Sequence, residues 1–230
     1  MEQATATFTE CPNCDSKLKT SGLIGTNKLI SRRFVPIIKE FSGSSHDYYC
    51  EKCAQRLYEV AKGKFFTERN SLDKLIESIV DSVPVISLQS PHRWEYDVLD
   101  MVTGQSTTGT GVLSELKSSF TDFFGMQSGA YSSKISNGEN LCLAQLRLKC
   151  IQLGGNAVIG ADIDYAEVGG DKGMLMVCMT GTAVKIHNTE VLGKKRVDSL
   201  AKLSEAVERR EYLRSIDVTS NAFVTVEANG

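Results

Sequence analysis

What this sequence has little of limits where it works. Met1 to Glu10 is polar and threonine-rich, without the basic start and apolar run of a signal peptide. No later stretch is apolar enough to span a bilayer. The expectation is therefore a cytoplasmic chain with no membrane partner. Charge of one sign is also missing. Lys+Arg 26 against Asp+Glu 28 leaves a net charge of -2, so no global positive field exists, and nucleic-acid binding would need a local basic patch. There are 3 histidines, and neither they nor any nucleophile stand at a recognisable catalytic spacing. An enzyme is not expected. Internal repeats and long low-complexity tracts are absent as well.

What is present begins with composition. A hydrophobic fraction of 41% over 230 residues allows a real core, in one large domain or two small ones. Cysteine is the informative residue. Of 7 cysteines, Cys11, Cys14, Cys50 and Cys53 form two Cys-x-x-Cys pairs, a pattern that in a reduced compartment favours metal ligation over disulfides. Two-residue spacing lets both sulfurs of a pair reach one ion from a tight turn. Four thiolates at about 2.3 Å close a tetrahedral zinc site and leave no open position for water, so the zinc is expected to be structural. The competing reading is two buried or redox-active pairs. The stretch between Cys14 and Cys50 is longer than the roughly 15 to 20 residues of the simplest ribbon pattern, so something folded must fill it.

From Leu23 to Ile38 the apolar residues come in short runs broken by glycine, asparagine and arginine, which predicts two or three short strands. Ser42-Gly43-Ser44-Ser45 reads as a loop. The second cysteine pair then opens a helix, with Cys53, Leu57 and Val60 at helical spacing and Gly63 as its stop. A knuckle, a hairpin and a cysteine pair at a helix start resembles the treble-clef zinc finger. His46 is read as a loop residue beside a site that four thiolates already fill. Lys28, Arg32 and Arg33 with Tyr48 and Tyr49 could offer a small surface to nucleic acid or simply a solvated face. A second helix follows, with Leu72, Leu75, Ile76, Ile79 and Val80 on one face, capped near Asn70 or Ser71 and ended by Pro84.

After Pro84 the pattern changes. Val85 to Leu88 is a short apolar strand. Trp94 to Thr103 alternates as a strand with one buried face, and Gly104 to Gly111 reads as a glycine- and threonine-rich loop. That loop lacks the Lys-Ser/Thr ending of a P-loop and the spacing of a dinucleotide fingerprint, so a plain turn competes with an anion site. Leu113, Leu116, Phe120 and Phe123 mark a helix face closed by Gly125. A helix from about Glu139 to Leu153 carries a wide apolar band, with only Gln145, Lys149 and Gln152 marking a solvent stripe, and Gly154-Gly155 ends it. A hairpin follows. Its first strand alternates Ile159, Ala161, Ile163 and Tyr165 with Gly160, Asp162 and Asp164. In its second strand Met174 to Met179 is apolar on both sides, which argues that a second copy covers one face. Asp162 and Asp164 point the same way and could present paired carboxylates to a hard cation, or serve backbone groups and solvent. Cys142, Cys150 and Cys178 fall within apolar patterns as small packed thiols. His187 lies at the strand end. Val197, Leu200, Leu203 and Val207 mark a last helix, read as a surface or oligomer-edge element, and a further strand is predicted around Ala222-Phe223-Val224.

The run LKSSFTDFFG, SGAY at Ser128 to Tyr131, LGGNAVIGADIDY and MLMVCMTGTAVK together resemble the YbjQ-like family of small bacterial proteins, whose fold is similar to that of dodecin. The resemblance covers about residues 85–187. It implies a β-α-β-β unit in which an antiparallel sheet wraps a helix, assembled into ring-like oligomers, with pentamers favoured. The family has been called heavy-metal-binding, and its biochemical role is unsettled. The cysteine-bearing front lies outside the resemblance.

The expected architecture is α+β: a four-cysteine zinc-binding domain at 1–66, a connecting helix at 67–84, a YbjQ-like oligomerisation domain at 85–187, and a C-terminal helix and tail at 188–230. The leading expectation for function is a zinc-binding homo-oligomeric scaffold that displays several fingers to a protein partner or nucleic acid. The alternatives are a metal- or small-ligand sensor using the ring, a metal-assisted hydrolase built on Asp162 and Asp164, and a nucleic-acid-binding adaptor.

Overall fold

The helical and strand segments that matter here are set by three local rules: helical spacing around proline, alternation in strands, and glycine where backbones meet. A computed structural model describes residues 8–19, 25–108, 131–168 and 174–218. The expected helix at Leu113 to Phe123, the Gly109 to Gly111 end of the expected loop, residues Leu23 and Ile24, and the strand around Ala222 to Val224 lie outside the described residues. The chain divides into two compact units, one of residues 1–71 with 211–230 and one of residues 72–210.

In the first unit the expected strands before Ile38 are replaced by a 3-10 turn, Arg32–Phe34, and helix α1, Val35–Ser42. The reason is visible in the spacing. Phe34, Ile37, Ile38 and Phe41 recur every three to four residues and all four are buried, and Pro36 sits in the first turn, where its missing N–H costs nothing. Gly43, at φ 81, ends the helix in the left-handed conformation. Around it the described residues make isolated bridges, Glu10 with Lys17, Lys19 with Asn27 and Leu29 with Cys50. Helix α2, Glu51–Ile79, runs through Gly63 without a break. A helical glycine costs only about 1 kcal/mol relative to alanine, and the apolar positions Tyr58, Ala61 and Phe65 continue the buried stripe across it. The rings of Phe34 and Tyr58, and of Phe41 and Phe65, meet edge to face at 5.5 Å and 5.7 Å and join α1 to α2.

In the second unit α2 ends in a 3-10 turn, Val80–Ser82, ahead of Pro84. Three strands follow: β1, Tyr96–Thr108; β2, Ala157–Val168; and β3, Met174–Ile186. Helix α3, Tyr131–Gln152, lies between β1 and β2 in the chain. The sheet is antiparallel with order β1-β3-β2. Helix α3 covers one sheet face, where Val102, Val158, Val177, Met179 and Ala183 join Cys142, Leu146 and Cys150 in the main core. Because side chains alternate, Ala157, Ile159 and Val184 fall on the opposite face, where they pack with Ile186, Ile86, Trp94 and Tyr96. Among the described residues the rest of that face is only partly covered. Thr180 is exposed and Met176 and Cys178 are half-buried, so β3 is covered fully on one side only.

Strand β1 extends to Thr108, through half of the expected loop. Gly104 is there as a place for close approach. A Cβ on it would lie 2.5 Å from the Cys142 carbonyl oxygen and 2.8 Å from Leu146 Cδ1. Helix α3 ends as expected: Gly154, at φ 80, donates to Ile151 O, and Gly155 donates to Cys150 O at 2.8 Å, which is the Schellman pattern. The expected solvent stripe of α3 needs correction. Gln145 is buried, its amide donating to Gln105 O at 3.1 Å and accepting from Gln105 N at 3.0 Å, while Lys149 Nζ reaches Thr103 O at 2.6 Å. Spaced four apart on the helix, the two side chains satisfy backbone groups two apart along β1. The last helix, α4, Lys194–Arg214, has an exposed polar side and one buried face. Leu200, Leu203, Ala206 and Val207 are buried in the same core as α3 and the sheet.

Candidate metal centre

Two short backbone devices build the site in the first unit. At Cys11 the chain folds into a knuckle: Cys14 and Asp15 both donate to Cys11 O, Cys11 donates to Ser16 O at 2.9 Å, and Asp15 takes φ 56 to complete the turn. Cys50 stands at the start of α2, accepting from Ala54 N at 2.9 Å, and Cys53 lies in the first helical turn on the same side. Asn27 ties the two devices together. It is buried, its amide nitrogen donates to Lys17 O at 3.0 Å behind the knuckle, and its oxygen accepts from Lys52 N at the helix start. Sequence reasoning missed it. It stands between Thr26 and Lys28 in a short polar run that reads as a turn, and nothing local marks it as a buried brace.

The ligand sulfurs of Cys11, Cys14, Cys50 and Cys53 all lie within 4.8 Å of one another, and this is the group of three or more metal-binding side chains found among the described residues. None is in a disulfide. Cys11 to Cys53 is 3.8 Å, Cys14 to Cys50 is 3.6 Å and Cys50 to Cys53 is 3.8 Å, sulfur to sulfur. The backbone N–H of Cys50 donates to Cys11 Sγ at 3.3 Å, an interaction that stabilises negative charge on sulfur. With no metal to hold the charge, burial pushes the Cys11 and Cys53 thiols up, while the Ser16 hydroxyl bonded to Cys14 Sγ brings that thiol down to about 7. The arrangement can bind a metal ion with four sulfurs and expel protons as it does so.

The other expected ligands are not in this group. His46 is exposed beside Asp47. Asp162 and Asp164 are exposed on β2, opposite Thr180 and Cys178, and Asp164 Oδ1 accepts from the N–H of Tyr165 at 2.9 Å. The basic and aromatic set is split. Tyr49 is fully buried, with its hydroxyl on Ser44, whereas the Arg32 guanidinium lies over the Tyr48 ring at 4.9 Å and Phe8 stacks beside it at 4.8 Å.

Comparison with known proteins bears on the second unit. Residues 89–187 match the YbjQ family, described as "Putative heavy-metal-binding". A UPF0145 protein of Actinobacillus pleuropneumoniae serotype 5b is 41% identical over 87 residues, covering 38% of this chain and 82% of its own length. A UPF0145 protein of Carboxydothermus hydrogenoformans is 42% identical over 89 residues, covering 39% and 81%. Neither description names a reaction. A crystal structure of a protein of unknown function from Pediococcus pentosaceus, of the DUF74 family, aligns with 45% of this chain and 97% of its own at 17% identity, with a TM-score of 0.30, too low to bear on the fold. Among the described residues no helix is long and apolar enough to cross a membrane. The cysteine cluster precedes the matched segment, and through that segment the chain belongs to the UPF0145 (YbjQ) family.

Proposed function

We propose that this chain is a cytoplasmic zinc-binding protein of a homo-oligomeric, non-enzymatic kind, in which Cys11, Cys14, Cys50 and Cys53 hold one structural zinc. The observation that carries this reading is the sulfur geometry. A tetrahedron with metal–sulfur bonds of about 2.3 Å has edges of about 3.8 Å; three of the sulfur pairs lie at 3.6 to 3.8 Å and all four sulfurs lie within 4.8 Å of one another. All four positions are taken by protein, so the ion shapes the finger and offers no site to a substrate. Holding the knuckle to the start of α2, it links residues that are otherwise joined by few backbone bonds. The dodecin-like arrangement of the matched segment, and its assembly into a ring with pentamers favoured, are what the resemblance to the YbjQ-like family implies, and the half-buried Met176 and Cys178 on the second sheet face support a covering by another copy. A ring would raise the effective concentration of several fingers toward one protein or nucleic-acid partner.

Metal analysis of protein purified without added metal tests the zinc. One zinc per chain, lost in Cys50→Ser with Cys53→Ser, is the expected result. Iron in the same four sulfurs would keep the site and change the metal, and a metal-free chain carrying two disulfides would remove the proposal.

A further inference from the structure

The family description attaches heavy-metal binding to the segment at 89–187, yet that segment in this chain does not fit a heavy-metal ion. Soft and borderline ions take thiolate or imidazole, and the segment contains five such side chains, His92, Cys142, Cys150, Cys178 and His187. All five are among the described residues, and no group of three or more drawn from them and the described carboxylates comes together as a possible metal site. Each has another occupation or place. Cys142 is fully buried and its Sγ donates to Val177 O at 3.4 Å. Cys150 is fully buried, donates to Ala157 O at 3.1 Å, and is packed so closely on Gly155 that a Cβ there would lie 2.7 Å from the sulfur. Cys178 belongs to the opposite sheet face by strand alternation from Val177 and Met179. His187 Nε2 lies 2.9 Å from Asp97 Oδ2, and His92 is exposed. Burial also keeps both core thiols protonated, pushed up to about 12 at Cys142 and about 11 at Cys150.

We infer that the soft-metal capacity of this protein lies wholly in its four-cysteine unit, one ion per chain, and that its UPF0145 segment holds none. Cys142 and Cys150 are packing thiols that donate hydrogen bonds to carbonyls, and the metal function that the family description names has its donors here in residues outside the family segment. The inference rests on the metal reading of the four cysteines, and a single titration separates the two. The full chain, stripped of metal under reducing conditions, is titrated with Cd2+ while the sulfur-to-cadmium charge-transfer absorbance and bound cadmium are followed. One equivalent with the absorbance of four thiolates is expected for the natural sequence and, unchanged, for the variant Cys178→Ser with His187→Ala. No stoichiometric cadmium is expected for the variant with all of Cys11, Cys14, Cys50 and Cys53 changed to serine. A second equivalent in the natural sequence that disappears in Cys178→Ser with His187→Ala overturns the inference and leaves the four-cysteine site standing. A full equivalent retained by the four-serine variant overturns it too. No stoichiometric binding by the natural sequence would end both readings.

Discussion

Gly104 and the buried thiols show how much a single position can carry. With the Cys142 carbonyl oxygen at 2.5 Å from a hypothetical Cβ, Gly104→Ala must push α3 off β1 or bend the strand. A loss of about 2 kcal/mol is expected, in the range of overpacked cores, read as a lower urea midpoint with an unchanged m-value. The thiols give a pH test. Cys142 and Cys150 have folded values raised above the ordinary 9.0, to about 12 and about 11, by burial. A raised folded value means that the stabilisation is complete below the unfolded value and is lost as pH rises through the folded one. Melting temperature is therefore expected to hold up to about pH 9 and fall between about pH 9 and 12, with a smaller fall in Cys150→Ala. Iodoacetamide at pH 8 on the native chain should leave both cysteines unmodified, and rapid alkylation of either would contradict their burial.

At the scale of elements, Gln145 is the residue whose role composition concealed. On a helical wheel it lines up with Lys149 and Gln152, which reads as a solvent-facing stripe. The fold instead sets it against the free edge of β1, where its amide completes the backbone bonds of Gln105, and Lys149 serves Thr103 in the same way. These contacts cover an edge that would otherwise pair with another strand. Gln145→Leu leaves the Gln105 N–H and C=O unpaired and is expected to cost about 1 to 3 kcal/mol, measured by thermal or urea unfolding, with Gln145→Glu restoring only the accepted bond. Other elements were legible to different degrees. Strands β2 and β3, the Gly154-Gly155 helix end and α4 could be read because alternation, glycine caps and helical spacing act locally. Gly63 misled because a helix tolerates one glycine when packed neighbours continue on both sides. The 34–41 segment misled because its paired apolar residues after Arg32-Arg33 read as short strands, whereas their spacing continues to Phe41 as the buried face of a helix with Pro36 in its first turn. The extension of β1 past Gly104 could not be read at all, since its cause is the approach of a helix far along the chain.

For the molecule as a whole, the chain joins a unit bearing a four-cysteine cluster to a segment of the UPF0145 family, and the two were legible by separate means. The cysteine spacing announced the centre, and the structure brings all four sulfurs together. It did not announce Asn27, which holds the knuckle to α2 from behind. If zinc supplies the missing link, its removal should release a large part of the folding free energy of that unit, on the scale of about 10 kcal/mol found for structural zinc sites. Chelation of the full chain is then expected to lose the near-ultraviolet signal of the tyrosines around the centre while the signal of Trp94 in the second unit persists. The most direct measurement is native mass spectrometry of protein purified without added metal. One zinc ion for every chain in an assembly of several chains is the result this account requires at its centre, and chains of metal-free mass, short of four hydrogens through two disulfides, would contradict it.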